Sequence, residues 1–353
     1  MRALPLIVAI GGTGAFVAGF RPAPPQPAGW TVWIVGGLEG HLAPCACTTP
    51  QSGGLVRRAG AVARSSPSRT LVLDAGGWIA GTGRQDELKG DAVAASLGVG
   101  PPSAVLLTED LRRMDARLDA WRSVSRAAFG GPESSVRLGP LTVGGRTGKG
   151  VVLLVEGGAE EGRRALAARP GAKLVVVSRP TLPVRVGDAW ITGPGDRGKS
   201  AFRTVFRDGR FSAPVAVDLG PEVAAEKRTG RIFADYLARV DAAGLLDRLP
   251  RQPGDPFSGD RACAACHAEA AAIHERSAHA HAYGTLEKDG HARDPDCVGC
   301  HVVGLDRTTG FRSRATTPEL ARVGCESCHG SGAEHVRRPY ESKMKAIGRD
   351  TCL

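Results

Sequence analysis

Three five-residue segments with one spacing stand in the last third of the chain: CAACH (Cys263–His267), CVGCH (Cys297–His301) and CESCH (Cys325–His329). Two thiols three positions apart can add to the two vinyl groups on one edge of a porphyrin. The histidine that follows then sits beneath the ring and gives the iron a nitrogen. The spacing points to covalent haem c on Cys263, Cys266, Cys297, Cys300, Cys325 and Cys328, with His267, His301 and His329 as proximal ligands. Zinc also uses C-x-x-C pairs, but it does not require histidine directly after every second cysteine. A disulfide framework makes no use of the histidines at all.

Six-coordinate iron needs a second axial ligand, and the same region supplies candidates. Six of the nine cysteines and eight of the nine histidines lie between Cys263 and His335. His279 and His335 come first, then His281 and His291, and His274 last. Haem ligated by two histidines has no open position and favours electron transfer over catalysis. A five-coordinate haem would instead leave a position for substrate and suit a multihaem oxidoreductase, and both readings stand at this point.

The elements that must position these residues read in several blocks. Residues 1–20, an arginine followed by an apolar run, have the form of an export signal or N-terminal anchor, and 21–29 are a Pro-rich spacer. Over 30–219, TVWIVGG, RTLVLDAGG, KGVVLLVEGG, AKLVVVSRP and DAWITGPG are expected as strands. The stretches LTEDLRRMDARLDAWRSV and EEGRRALAAR have helical spacing, and Asp208–Gly209 is expected to turn a hairpin in FRTVFRDGRFSAPVAVDL. Strands interleaved with helices predict an α/β layered domain. Residues 220–255 form a helical connector and linker, and 256–353 a mainly α or irregular haem module in which the porphyrins supply much of the core.

The net charge of +10 on 353 residues predicts a basic surface suited to an acidic redox partner protein. The basic residues are scattered and only 5% of residues are aromatic, which argues against nucleic acid as a partner. A mean hydropathy of −0.12 excludes a polytopic membrane protein, so any membrane association rests on the N-terminal segment. The expected location is the periplasm or another exported compartment.

The sequence CAACH…RSAHAHAYGTL…CVGCHVVG…TGFRS…VGCESCHGSGAEH resembles the tetrahaem cytochrome c-554-like family, linked to hydroxylamine oxidation, over about residues 257–353. The resemblance implies distal ligation from the His279 and His335 positions, haems close enough for electrons to hop, and a fourth attachment motif. Cys352, 27 residues after Cys325, would be the first thiol of that motif.

A second resemblance, carried by GGLVRRA (Gly53–Ala59), LDAGG and ITGPGDRGKSAF (Ile191–Phe202), is to exported metallophosphatases of the 5′-nucleotidase type. The metal ligands that family requires are missing. Gly37 and Glu39 stand where D-x-H is expected, Gly77 replaces the aspartate after the second strand, and the Asn–His pair near LLTEDLR is absent. A two-metal hydrolase depends on those groups, so the resemblance implies a metallophosphatase-like scaffold without its catalysis. The same domain carries APCACTT, whose Cys45 and Cys47 could form a redox pair, a metal clasp or a structural disulfide, with His41 nearby.

Overall fold

A computed structural model describes residues 29–44 and 50–348. The first sheet begins with β1 (Trp30–Val35), β2 (Thr70–Asp74), β3 (Ser103–Leu106) and β4 (Ala128–Gly130). The second is built from β5 (Ser135–Leu138), β6 (Leu141–Gly144), β7 (Val152–Val155), β8 (Leu174–Val177), β9 (Val184–Val186) and β10 (Ala189–Thr192). The chain then returns to the first sheet with β11 (Ser200–Arg207), β12 (Arg210–Phe211) and β13 (Val215–Asp218). The strand orders are β12-β11-β1-β2-β3-β4, with β13 also on β11, and β5-β6-β7-β8-β10-β9. β1 through β4 are parallel, as are β6, β7, β8 and β10, while the strands beside them pair antiparallel.

All five strands expected from apolar runs form, because β-branched and leucine residues buried on both faces suit parallel sheet interiors. Asp208 and Gly209 both take positive φ, 52° and 75°, which matches the hairpin turn expected between β11 and β12. The long helical stretch after β3 is broken instead into α3 (Glu109–Arg112) and α4 (Asp115–Ser125), because Met114 leaves helical geometry at φ −106°, ψ 39°. Ahead of them lie α1 (Leu55–Ala63) and α2 (Arg84–Gly98); α5 (Ala159–Ala168) follows β7, and α6 (Lys227–Ala242) follows β13.

The layers follow from which faces are apolar. Val32, Ile34, Leu71 and Leu73 of the first sheet meet Val152, Leu154, Leu174 and Val176 of the second in one core. The outer face of the first sheet packs under α1, α2, α4 and α6 through Val72, Leu88, Trp121 and Tyr236. α5 covers the second sheet with Ala165 and Leu166. The result is a four-layer α/β/β/α sandwich, in which each fully buried Leu, Ile or Val contributes about 1.5–3 kcal/mol.

Beyond α6 the chain becomes short helices and loops: α7 (Asp260–Ala264), α8 (Ala268–Glu275), α9 (Ala282–Asp289), α10 (Pro295–His301), α11 (Cys325–His329) and α12 (Ala333–Arg337). One small apolar cluster, including Tyr283, Val298, Val302, Phe311 and Leu320, holds them, and Leu246 joins it from beyond α6. Among the described residues no helix is long and apolar enough to cross a membrane.

α2 also carries the side chains that reach the haem module, so its seat on α4 matters. A Cβ on Gly90 would lie 2.1 Å from Cζ2 of Trp121. Gly90→Ala is therefore expected to lower stability by about 1–3 kcal/mol, read as a lower melting temperature. An unchanged melting temperature would mean that α2 and α4 can separate without loss.

Candidate functional site

The three C-x-x-C-H segments sit on helices too short to hold themselves, and buried carboxylates fix them. In α10, Pro295 occupies the first turn, where a missing N–H costs nothing, and Asp294 accepts a hydrogen bond from the Asp296 amide at 3.0 Å. In α11 the Cys325 amide donates to Asp260 at 2.9 Å. Glu326, the first x of CESCH, is only 3% exposed. Its carboxylate accepts from the amides of Ser258 (2.9 Å), Gly259 (2.8 Å) and Gly332 (2.6 Å). That one side chain ties the start of α7, the third segment and the approach to α12 into a single knot.

The first and third segments share more than Glu326. The thiols of Cys263 and Cys325 lie close enough to act on one another's protonation. Burial, with the carboxylate of Asp260 next, pushes the Cys325 thiol up to about 12. Burial and then Glu326 raise Cys263 as well.

The histidines divide by how their rings are tethered. Nδ1 lies against a backbone carbonyl in His301 (Ala282, 2.8 Å), His329 (Lys345, 3.0 Å) and His335 (Ser342, 2.6 Å). A proton on Nδ1 then donates to that carbonyl and leaves the Nε2 lone pair for a metal, the usual orientation of a ligating imidazole. His267 and His335 face each other with ring centroids 6.4 Å apart and planes 22° from parallel. His274 is tethered the other way, with Nε2 at 2.8 Å from the Val323 carbonyl and Nδ1 at 3.5 Å from Asp260, which is a structural arrangement. His279 and His281 are exposed on one 3-10 turn, and the His279 carbonyl accepts from the Val323 amide. His291 stacks near Phe233 and places Nδ1 3.7 Å from the Cys297 sulfur. His291, Asp294 and Cys297 bring ligand atoms within 4.8 Å of one another, but Cys297 belongs to the second attachment segment.

These residues fit covalent haem. Cys266 and Cys300 are exposed and the other four thiols of the segments partly so. α8, with the sequence AEAAAIHE, buries none of its residues although five of its eight are alanine or isoleucine. Ile273 and Val336 are also exposed. An apolar helix lying beside C-x-x-C-H in water has the surface a porphyrin would cover.

At the other end of the chain, the loops after β1 and β2 contain the positions expected to hold metals. Gly37 and Gly77 both have positive φ, 59° and 64°. A Cβ on Gly77 would lie 3.2 Å from Cα of Gly37, and one on Gly37 would lie 2.9 Å from Pro194. The two strand ends are packed together where two carboxylates would need to diverge. Asp74, at the end of β2, is spent on Arg58 (3.3 Å), the Trp78 indole (2.9 Å) and the Gly76 amide (2.9 Å). Burial raises its pKa, and Arg58 opposes that. His41 lies against the Leu38 carbonyl at 3.1 Å. Cys45, Cys47 and Cys352 fall outside the described residues, as does the N-terminal segment.

The composition of the segments did not mark Glu326 as special, because an x position carries no signal until its partners 67 or 68 residues away are known. Glu326→Ala leaves two buried amides and one partly buried amide without an acceptor and is expected to cost about 3 kcal/mol. It should lower the denaturant midpoint of the haem-loaded protein, whereas an unchanged midpoint would mean the knot is dispensable.

Comparison with known proteins agrees with this geometry. Residues 262–330 match the family model described as cytochrome c554 and c-prime. A cytochrome c-554 from Nitrosomonas europaea is 38% identical over 93 residues, which cover 22% of this chain and 39% of that protein. The chain thus spans about two fifths of the length of this relative. Among solved structures, the sulfate thiohydrolase SoxB of Thermus thermophilus is 16% identical, with 62% of each chain covered and a TM-score of 0.48. A 5′-nucleotidase precursor from the same organism is 18% identical over 66% of this chain and 62% of its own, with a TM-score of 0.43. The matched stretch contains all three C-x-x-C-H segments, and its similarity to the cytochrome c554 and c-prime family implies covalently bound haem c.

Proposed function

We propose that the chain is an exported multihaem c-type cytochrome that passes electrons between haems held at its three complete segments, with an α/β domain that does not hydrolyse phosphate esters. Covalent haem supplies one-electron exchange between ferric and ferrous iron.

The observation that carries this reading is the pair His267 and His335. Two imidazoles bound on opposite sides of one metal at about 2 Å each have centroids roughly 6 Å apart. The observed 6.4 Å is that spacing, and it is the ground for assigning both rings to one iron. His335 is on α12 and His267 follows α7, so Glu326, which binds the backbone at Gly259 and Gly332, sets the distance between them. The adjacency of Cys263 and Cys325 brings the attachment edges of the first and third segments together, which favours a short step for an electron.

The glycines at 37 and 77 support the reading of the α/β domain as a scaffold. The net charge of +10 suits an acidic redox partner, and the apolar N-terminal run suits export to the periplasm, with or without anchoring.

Haem-stained intact mass should give covalent haem on all three segments, and ferric electron paramagnetic resonance should show low-spin iron. His335→Ala should turn one signal from low spin to high spin without changing the haem count. High-spin haem in the wild-type protein that binds nitric oxide or hydroxylamine would overturn simple electron transfer in favour of an oxidoreductase. Turnover of nucleotides with added manganese would overturn the inactive scaffold.

A further inference from the structure

Helices α2 and α6 of the α/β domain meet the haem module at residues 291–296, directly before the second attachment cysteine. Gln85, in the first turn of α2, donates to Asp294 at 2.8 Å, and the Tyr236 hydroxyl donates to the other Asp294 oxygen at 3.1 Å. Asp294 is the cap of α10, so two side chains of the α/β domain hold the start of the helix that carries CVGCH. One turn further along α2, Lys89 forms an ion pair with Asp296. Arg293 adds contacts to Asp241 at 2.9 Å and Asp247 at 2.5 Å.

Lys89 is unusual among these. Its side chain is 8% exposed, and a long cationic side chain is seldom so buried without a purpose or a partner. It runs beneath the loop after β1, where a Cβ on Gly40 would lie 3.0 Å from Nζ. Its ammonium therefore pairs with a carboxylate one residue before Cys297, and that carboxylate is 53% exposed. A charge removed from water acts more strongly and is less screened by salt than one at the surface.

We propose that Lys89 is a positioning residue that sets the charge beside the second haem, so that the α/β domain tunes the potential of that haem separately from the other two. This rests on the reading that Cys297 and Cys300 carry haem. With Lys89 in place the Asp296 carboxylate is compensated. Without it, an uncompensated negative charge lies next to the attachment helix, favours ferric iron and lowers the potential. Removing the carboxylate instead leaves the ammonium, which disfavours ferric iron and raises the potential.

The test is a spectroelectrochemical titration of the haem-loaded protein with the variants Lys89→Met, Lys89→Arg and Asp296→Asn, beside intact and peptide mass for haem content. One resolved midpoint potential should fall in Lys89→Met, rise in Asp296→Asn and return towards the wild-type value in Lys89→Arg, while the others stay. A merely structural contact would move both charge variants in the same direction, and that outcome, or no movement in either with haem content intact, overturns the proposal. If Lys89→Met sheds the second haem, Asp296→Asn decides alone: a rise supports the proposal, and an unmoved potential ends it. Absence of haem on the Cys297–Cys300 peptide of the wild-type protein would instead defeat the underlying reading.

Discussion

A helix of five or seven residues is not stable in water, because nucleation fixes several residues for very few hydrogen bonds. The attachment segments in α10 and α11 are helices of that kind, and the module depends on how they are held. Buried carboxylates hold them, by accepting hydrogen bonds from amides that the helix ends leave unpaired. Asp260 binds the amide of Cys325, Glu326 binds three amides from two other segments, and Asp294 caps α10. A carboxylate is suited to this task because it offers several acceptor positions to separate donors and is strengthened by its charge. The apolar cluster around Phe311 is too small to orient the segments without them.

The α/β domain contributes by a different route. In open α/β sheets ligands collect beyond the carboxyl ends of the parallel strands. Beyond that end here, Gly37 approaches Gly77 closely and Asp74 is held by Trp78 and Arg58. α2 starts directly after the β2 loop, and its first two turns present Gln85 and Lys89 to Asp294 and Asp296.

How much of this is legible in the sequence depends on the range of the interaction. The C-x-x-C-H segments, the buried strands and the Asp208–Gly209 turn are local patterns, and the strands and the turn form where expected. The tethered rings of His301, His329 and His335 follow from segment identity together with the backbone geometry around them. Lys89 and Asp296 are 207 residues apart, and nothing local distinguishes that lysine from a solvated one. The strands β3 to β6 are three or four residues long and bounded by glycine- and proline-containing turns, so their pairing is decided by the sheet and not by their own composition. His291 illustrates the same limit from the other side. As a histidine in a cysteine-rich segment it is a candidate ligand, yet the structure places it between Phe233 of α6 and the Cys297 sulfur, at the junction of the two domains.

The three segments are consequently not equivalent. The first and third are bound to one another through Glu326, Asp260 and the neighbouring thiols of Cys263 and Cys325, so a change in one is transmitted to the other. The second is anchored instead on α2 and α6 by residues 291–296. Interacting residues in one network respond together, whereas separated ones respond nearly independently. Separate anchoring of this kind is what would let the surroundings of the second segment change without disturbing those of the other two.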